Sequence, residues 1–267
     1  MPNKQPKETR TALVLIDYQH DFVNPTGALA VPGAQDDVAR LLTWLGAHEI
    51  TTLYVSLDTH LPLHIFYPAW WQDAEGKTVA PFTAITVDDV ESGRFIAQFD
   101  PDWSLYYVKQ LARSAQKELM IWPHHTMLGT LGHTLPLALS EAITQHSIAH
   151  RTQPVYVMKG LSRRTECYSL FGAEVVDPED PASRFNLPLL EAITAHDRVY
   201  IAGEAKSHCV LESLKHLLHY APERANRLHL LHNCTSSVAH PTIDFDTLAE
   251  AELAAMQKLG LNLCPTS

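Results

Sequence analysis

The chain has 267 residues, of which 46% are hydrophobic and 19% charged, and its formal net charge is -10 with histidine neutral. These values are typical of a globular protein with one large α/β domain or two small ones, and the acidic balance excludes non-specific nucleic-acid binding. No apolar run approaches the roughly 20 residues of a membrane-spanning helix, and the first ten residues are too polar for a secretory signal. We therefore expect a cytoplasmic protein that does not bind membranes.

Apolar runs of strand length alternate with helix-length segments along most of the chain. Predicted strands cover residues 11–17, 51–58, 154–160, 198–204 and 227–233, with a short sixth strand at 261–264. The segments between them predict helices at 36–48, 137–150, 187–196, 209–221 and 245–260. Near-continuous apolar strands are typical of a parallel sheet that is covered on both faces. The alternation predicts an α/β fold with a doubly wound, mostly parallel sheet and helices on both faces.

The segment 67–120 breaks this rhythm. It contains Pro68, Pro81 and Pro101, three tryptophans and charges of both signs. A connection of this length is too long for a bare loop in a compact domain. We interpret it as an insertion or lid within a single domain that spans residues 1–267.

Reactive side chains follow four of the predicted strands. Asp17, Asp58 and Lys159 lie at the ends of three strands, and the fourth strand leads into Cys209. Ligands of open α/β sheets bind beyond the carboxyl ends of the strands, so these residues are expected to converge. Each residue alone is more often a turn acid, a solvated lysine or a buried core thiol. Together they indicate a reactive site.

Asp17, Lys159 and Cys209 have the chemistry of a nucleophilic site. A thiol becomes a strong nucleophile only as the thiolate, which a carboxylate can generate and a nearby ammonium can stabilise. Cys209 also begins a predicted helix, where free N–H groups and the helix dipole favour negative charge. Such a cysteine could attack an amide carbonyl and form a thioester. The four cysteines are scattered without a CxxC motif, so a disulfide framework is not expected.

Histidines close to Asp58 predict a metal site. His60 and His64 follow Asp58 in the stretch "DTHLPLHIF", and His124 and His125 lie in "WPHHTMLGTLG". Imidazoles combined with a carboxylate are typical ligands of zinc, iron or manganese. Paired surface histidines without a metal are the alternative that the spacing leaves open.

Six blocks in chain order resemble the nicotinamidase branch of the isochorismatase-like cysteine hydrolases. The blocks are "LIDYQHDFVNPTGALAVPGA", "DTHLPLHIF", "WPHHTMLGTLG", "VMKG", "CYSLF" and "IAGEAKSHCV". They cover most of the chain apart from residues 67–120. The resemblance implies the isochorismatase-like hydrolase fold.

The resemblance also implies a role for each member of the reactive group. Asp17 would be the general base toward Cys209 and later the acid toward the leaving ammonia, while Lys159 would hold the Asp17 charge and lower the thiol pKa. The backbone N–H groups of Ala205 and Cys209 would form the oxyanion hole. A non-proline cis peptide bond is expected between Glu204 and Ala205.

The same resemblance implies a substrate pocket and a set of metal ligands. Phe22 and Trp122 would sandwich a flat ring by offset stacking, with Tyr168 as a further substrate-binding residue. The metal ligands would be Asp58, His60, His64 and His125. A divalent ion, with zinc preferred to iron or manganese, would bind a pyridine nitrogen or position the hydrolytic water.

The chain departs from the family pattern around the nucleophile. Where relatives often carry Ala-Thr-Asp-x-Cys, this chain has Ala-Lys-Ser-His-Cys, so Ser207 replaces an acid that supports the loop. Lys206 and His208 add charge beside the thiol in this interpretation. Thr126 replaces a cysteine after the third metal histidine.

These observations predict a metal-dependent amidase that releases ammonia from nicotinamide or a similar small aromatic amide. A related hydrolase that acts on a carbamoyl or ureido group is the first alternative, and a non-catalytic binding protein on the same fold is the second. The expected partners are the small-molecule amide and further copies of the chain in a homo-oligomer.

Overall fold

The computed structural model describes residues 9–115 and 117–266. Its centre is a six-stranded sheet, made of β1 (Thr11–Ile16), β2 (Thr52–Asp58), β7 (Val155–Lys159), β8 (Arg198–Gly203), β9 (Leu228–Leu231) and β10 (Asn262–Cys264). The strand order is β10-β9-β8-β1-β2-β7, and all neighbouring strands are parallel. All six predicted strands are therefore confirmed.

Helices follow the strands as the sequence predicts. The longer ones are α2 (Ala34–Gly46), α5 (Leu137–His150), α6 (Leu187–Thr194), α7 (Leu211–Tyr220) and α8 (Phe245–Lys258), and a short helix α1 (His20–Val23) follows β1. A π-helical turn at Lys206–Val210 precedes α7, so the predicted helix at 209–221 begins irregularly. Short 3-10 turns lie at Pro68–Trp70, Leu131–His133, Pro181–Ser183 and Pro222–Arg227.

The segment 67–120 has secondary structure of its own. It contains the strands β3 (Trp71–Asp73), β4 (Ala84–Ile85), β5 (Phe95–Ala97) and β6 (Leu119–Met120). It also contains helices α3 (Val87–Glu91) and α4 (Pro101–Gln110), followed by a π-helical turn at Leu111–Ala115. The strands form two antiparallel pairs, β3 with β5 and β4 with β6. Trp70 and Trp71 are fully buried and anchor the segment to the core beside the sheet.

Two apolar layers cover the two faces of the sheet. Leu13 and Leu15 of β1 point into one layer, which contains the buried side of α2 and α5. The alternate residues Ala12, Val14 and Ile16 point into the other layer, against α6, α7 and α8. Because successive strand side chains face opposite sides, a strand buried on both faces must be apolar throughout. The α/β fold with helices on both faces is therefore confirmed.

The sheet brings the predicted strand ends together. Ile16 of β1 is in register with Gly203 of β8, and Asp58 of β2 is in register with Lys159 of β7. Since β8, β1, β2 and β7 are adjacent and parallel, the residues after them share one edge of the sheet. In the described part of the chain, no helix is long and apolar enough to cross a membrane.

Candidate active site

Lys159 lies at the centre of a group of buried reactive side chains. Its Nζ atom lies 3.0 Å from Asp17 Oδ2, 2.8 Å from Asp58 Oδ1 and 3.5 Å from Cys209 Sγ. It also donates a hydrogen bond to the carbonyl oxygen of Cys167 at 2.9 Å. The structure thus brings the three residues predicted from strand ends into direct contact around one ammonium group.

Asp17 is held so that one of its oxygens remains available. Ser56 of the neighbouring strand donates its hydroxyl to Asp17 Oδ1 at 2.5 Å and accepts the Asp17 backbone N–H at 3.1 Å. Oδ2 is close to Lys159, but no donor in the described residues is aligned on it as a hydrogen bond. That oxygen can therefore accept a proton from the Cys209 thiol, with which Asp17 also interacts.

Burial and charge set the protonation of this group. Burial raises the pKa of Asp17 and raises the pKa of the Cys209 thiol well above its usual value, with Lys159 opposing both shifts. Burial alone would lower the pKa of Lys159, but Asp17 and Asp58 outweigh it and raise that pKa. Lys159 therefore stays an ammonium, and Cys209 rests as a thiol that needs a base.

The backbone before Cys209 has the shape that the resemblance predicts. The peptide bond between Glu204 and Ala205 is cis, and Cys209 lies in the π-helical turn that follows it. The Ser213 hydroxyl, one turn further on, donates to the Cys209 carbonyl oxygen at 2.7 Å. Ala205 and Cys209 both line the same small cavity, so their N–H groups are candidates for holding an oxyanion there.

That cavity contains the predicted substrate residues. It is lined by Phe22, Trp122, Tyr168, Ala205, Cys209, Lys159, Asp58 and His125, among others. The Trp122 indole N–H donates to the Tyr168 hydroxyl at 3.2 Å, which fixes two aromatic walls relative to each other. The cavity volume is only about 30 Å³, so a ring can enter only when side chains of the wall move.

A larger cavity of about 760 Å³ adjoins this one. The two share Glu166, Tyr168 and His208 as walls. The larger cavity lies between the segment 67–120, which contributes Tyr107 and Leu111, and the helices α7 and α8. The inserted segment therefore forms one side of the space next to the reactive group.

Three predicted metal ligands form a compact cluster. Donor atoms of Asp58, His60 and His125 all lie within 4.8 Å of one another. His60 Nε2 lies 2.8 Å from Asp58 Oδ2, and His125 Nε2 lies 3.6 Å from the same oxygen. The Nδ1 atoms of His60 and His125 face the carbonyl oxygens of Gly160 and Pro123 at 3.1 and 2.8 Å.

This arrangement fits a divalent transition-metal ion. A histidine that ligates a metal usually donates its other ring N–H to a carbonyl or carboxylate, which fixes the tautomer. In both His60 and His125 that bond would use Nδ1, which leaves the two Nε2 atoms on the Asp58 side as the metal-binding atoms. One carboxylate and two imidazoles are a donor set suited to zinc, iron or manganese.

His64 lies beside the cluster rather than within it. Its ring centroid is 5.0 Å from that of His60, and the side chain is fully buried. Neither ring nitrogen has a hydrogen-bond partner in the described residues, which is costly for a buried imidazole. Its role as a fourth ligand stays a prediction, because the compact cluster contains only Asp58, His60 and His125 within the described ranges.

Two side chains near the nucleophile have surroundings that the sequence does not predict. Lys206 binds two acids of α8, and its Nζ lies 2.7 Å from Asp246 Oδ1 and 2.5 Å from Glu250 Oε1. Burial lowers the pKa of His208 to about 4, so this ring is neutral. Of the charge that these two residues could add beside the thiol, that of Lys206 is thus paired with α8 and that of His208 is absent near neutral pH.

Ser207 retains a supporting role in the loop although it replaces an acid. Its hydroxyl lies 2.8 Å from His208 Nδ1 and accepts the backbone N–H of Val238 at 3.2 Å. The Ser207 hydroxyl thus connects the nucleophile loop to the segment after β9. This contact holds the loop although the acid found in relatives is absent.

Glu166 is a site residue that the sequence analysis missed. It is buried, it lines both cavities, and one of its oxygens accepts the Cys167 backbone N–H at 2.8 Å. Burial raises the pKa of Glu166 to about 7, with His60 opposing that shift. An isolated acid in a loop is usually solvated. The only sequence feature that could have indicated Glu166 as a site residue is its position between Lys159 and Tyr168.

A curated relative is similar in sequence to this chain. A curated nicotinamidase from Saccharomyces cerevisiae (strain ATCC 204508 / S288c) is 23% identical over 203 residues, covering 74% of this chain and 76% of the yeast protein. No protein-family model matches the chain.

Solved structures of nicotinamidases and pyrazinamidases share the fold. The yeast nicotinamidase bound to the inhibitor nicotinaldehyde has a TM-score of 0.64 and 18% identity, covering 96% of this chain and 99% of the other. A nicotinamidase/pyrazinamidase from Acinetobacter has a TM-score of 0.63 and 19% identity, covering 97% and 98%. The Pyrococcus horikoshii pyrazinamidase in complex with zinc has a TM-score of 0.55 and 18% identity, covering 96% and 99%. The predicted nicotinamidase-like fold is confirmed.

Proposed function

We propose that the chain is a metal-dependent cysteine amidohydrolase that releases ammonia from nicotinamide or a similar small aromatic amide. The observation that carries this proposal is the contact of one buried ammonium, Lys159, with both Asp17 and the Cys209 thiol. The similarity to the curated yeast nicotinamidase and to solved pyrazinamidases supports the choice of a C–N amide bond.

The first half of the reaction forms a thioester. Asp17 Oδ2 takes the thiol proton while Cys209 Sγ attacks the amide carbonyl carbon, and Lys159 offsets the negative charge that remains. The oxygen of the tetrahedral intermediate accepts hydrogen bonds from the N–H groups of Ala205 and Cys209. Asp17 then returns the proton to the amide nitrogen, the C–N bond breaks, and ammonia leaves.

The second half hydrolyses that thioester. Asp17 removes a proton from water, the resulting hydroxide attacks the thioester carbon, and the C–S bond breaks to release the carboxylic acid. Cys209 recovers its proton from Asp17, so the site returns to its starting state. A base whose pKa is raised by burial suits this double use, because it must both accept and return a proton near neutral pH.

The cluster of Asp58, His60 and His125 supports the metal part of the proposal. These residues would hold a divalent ion, zinc before iron or manganese, with His64 as a candidate fourth ligand. When bound, such an ion supplies a Lewis acid that binds a ring nitrogen or lowers the pKa of a water molecule. Because Asp58 also contacts Lys159, an ion held by these residues would adjoin the reactive group.

The aromatic walls support a flat substrate. Phe22 and Trp122 line the cavity together with Tyr168, and stacking on such rings favours a planar heterocycle. The segment 67–120 is proposed as a lid, because it forms one side of the neighbouring cavity and the inner cavity is too small for a ring without movement. Self-association and a cytoplasmic location stay predictions from the sequence.

The decisive test is an ammonia-release assay with nicotinamide, pyrazinamide and ureido compounds, with and without added zinc. We expect release from the first two, enhanced by zinc, and a substrate-derived adduct on Cys209 in rapidly acid-quenched samples analysed by mass spectrometry. Cys209→Ala should abolish both signals, whereas Cys264→Ser, a half-buried thiol distant in the sheet order, should leave them unchanged. Metal-independent turnover of ureido compounds alone would favour the carbamoyl hydrolase instead.

A further inference from the structure

A single serine contacts the residues on both sides of Ala205, through the Glu204 side chain and the Lys206 backbone. Ser236 lies in the segment after β9, and its backbone N–H donates to Glu204 Oε2 at 3.1 Å. Its carbonyl oxygen accepts the backbone N–H of Lys206 at 2.7 Å. Glu204 and Lys206 flank Ala205, so the position of the Ala205 N–H depends on how firmly Ser236 is held.

Ser236 is in turn held by a buried carboxylate of α2. Its hydroxyl donates to Asp37 Oδ2 at 2.5 Å, and Arg40 donates to Asp37 Oδ1 at 2.5 Å. Both oxygens of Asp37 therefore accept from a donor, as an ionised carboxylate requires. The Asp37 side chain is 2% exposed and that of Arg40 is 41% exposed, so the cation stands at the rim of the group.

Glu204 completes the group, and its contacts do not suit a carboxylate. The residue is 0% exposed, and Oε2 accepts from Ser236. Oε1 is buried and has no hydrogen-bond partner in the described residues. Asp37, which binds the same Ser236, is near enough to raise the pKa of the Glu204 carboxyl. Two acceptor-only carboxylates cannot share a hydrogen bond, whereas a carboxylic acid can donate one. One guanidinium at the rim cannot neutralise two buried negative charges.

We propose that Glu204 is a positioning residue, held as a carboxylic acid at neutral pH, whose O–H donates to Asp37 and thereby fixes the Ser236 clamp on Ala205. The clamp is the set of contacts that Ser236 makes with Glu204, Lys206 and Asp37. The proton on Glu204, which lies outside the reactive group, thereby keeps the oxyanion-binding backbone in place.

The other groups that face Glu204 are neutral or already paired. Tyr18 donates its hydroxyl to the Cys234 carbonyl oxygen, and burial raises its phenol pKa well above the usual value. Burial raises the pKa of the Cys234 thiol to about 11. Lys206 is bound by Asp246 and Glu250 of α8. Burial, followed by Asp37, accordingly raises the pKa of Glu204 well above its usual value.

Loss of this proton has a defined consequence for the reaction. An ionised Glu204 would place a second negative charge against Asp37 in a buried site, and the two carboxylates would repel each other. The Ser236 clamp would loosen and the Ala205 N–H would lose its fixed direction. Because that N–H acts on charge that develops in the transition state, kcat should fall at alkaline pH while KM changes little. This consequence rests on the proposed amidase function, whereas the proton itself does not.

The first test therefore uses no substrate. We compare unfolding of the wild-type protein, Glu204→Gln and the exposed control Glu223→Gln by urea titration from pH 5 to pH 9. Between the ordinary carboxyl pKa and the raised folded value, the native state alone holds the proton, so wild-type stability falls as pH rises. Glu204→Gln lacks this loss, and its unfolding constant relative to wild type should decrease by up to about tenfold per pH unit for one proton. Glu223→Gln should show no such trend.

Infrared spectroscopy provides a second measurement on the resting protein. A carbonyl stretch of a protonated carboxyl group should appear at pH 7 in the difference spectrum of wild type minus Glu204→Gln, in which Glu166, with its own raised pKa, is common to both proteins and cancels. Absence of that band at pH 7, or a stability difference with the opposite pH trend, would mean that Glu204 is ionised and would overturn the proposal, whatever the enzyme's substrate.

The activity test separates positioning from folding. Glu204→Gln can still donate to Asp37 and accept from Ser236, so its kcat should stay within about twofold of wild type near neutral pH, because the hydrogen-bond pattern is kept. Its kcat should fall less at alkaline pH than that of wild type. Glu204→Leu, which can make neither bond, should lose kcat at every pH with little change in KM. Identical alkaline limbs in wild type and Glu204→Gln would refute the positioning role.

Discussion

Two buried carboxyl pairs flank the Cys209 loop, and they differ in where the nearest cation lies. In the pair Asp17 and Asp58, the Lys159 ammonium touches both members, at 3.0 and 2.8 Å. In the pair Asp37 and Glu204, Arg40 binds Asp37 alone from the rim. Burial raises the pKa of one member in each pair, Asp17 in the first and Glu204 in the second.

The difference indicates how a buried acid becomes either a proton carrier or a fixed donor. Lys159 opposes the burial of Asp17 directly, so the energies of the two protonation states of Asp17 come close enough for exchange. No cation contacts Glu204 among the described residues that bind Glu204 and Asp37. The negative charge of Asp37 increases the cost of ionising Glu204. The same residue chemistry therefore supports catalysis in one pair and loop geometry in the other.

The largest expected effect comes from removing the cation of the first pair. Lys159→Met leaves two buried carboxyl groups without their ammonium, and losing one partner of a buried ion pair typically costs about 3–5 kcal/mol of the free energy of unfolding. Ammonia release should fall by about 10²–10⁴-fold or more, the range for loss of acid–base support. Urea denaturation and the ammonia assay measure the two effects separately.

Lys206→Met is the matched control for this change. Lys206 is as buried as Lys159 and also lies near Cys209 in sequence, but its partners Asp246 and Glu250 are 61% and 38% exposed. Water can solvate those acids, so the cost should stay within about 1 kcal/mol and activity should persist. Equal losses in the two variants would mean that burial of the lysine, rather than of its acids, decides the effect.

The second effect concerns the metal cluster that adjoins the first pair. His125→Ala removes one of the two Nε2 atoms that face Asp58, whereas His124→Ala removes an exposed neighbour whose ring contacts that of Tyr67. We expect zinc affinity to fall by more than about 100-fold in His125→Ala. Changing a residue that only hydrogen-bonds a metal-binding side chain typically costs less than this. In His124→Ala the affinity should stay unchanged. Equilibrium dialysis with elemental analysis measures this without reference to turnover.

His64→Ala belongs in the same measurement. A loss of affinity equal to that in His125→Ala would make His64 a ligand, in line with the sequence prediction. A small loss would restrict the site to Asp58, His60 and His125 and leave His64 as a packing residue against Phe66. Retention of full zinc affinity by His125→Ala would contradict the proposed site altogether.

The sequence predicts much of the fold and the reactive group because both follow from strand patterns. Apolar runs mark β1, β2, β7 and β8, and Asp17, Asp58 and Lys159 come directly at their ends. Parallel neighbours bring such ends together without further information. The six parallel strands and the contacts of Lys159 therefore match the expectation.

The second pair is not predictable in this way, because its members have ordinary local explanations. Asp37 lies in the first turn of α2, where an acid is favoured by the helix dipole, and Glu204 follows β8 in a position that is usually solvated. Their proximity depends on how α2 packs against the segment after β9. No periodic pattern in the sequence predicts that packing. The direction of Lys206 toward α8 depends on tertiary packing in the same way.

The smallest expected effect, and the most direct test of the comparison, is Asp37→Asn. The substitution removes the like charge beside Glu204 but keeps a side chain that can hydrogen-bond Ser236 and Arg40. Burial then remains as the main cause of the raised Glu204 pKa, so that pKa should fall, and the infrared band of the protonated carboxyl should titrate away at lower pH than in wild type. Because the introduced amide can donate to an ionised Glu204, the Ser236 clamp should survive and kcat near neutral pH should change by less than about threefold. A band that titrates at the wild-type pH would show that Asp37 does not hold the Glu204 proton and that burial alone keeps Glu204 protonated.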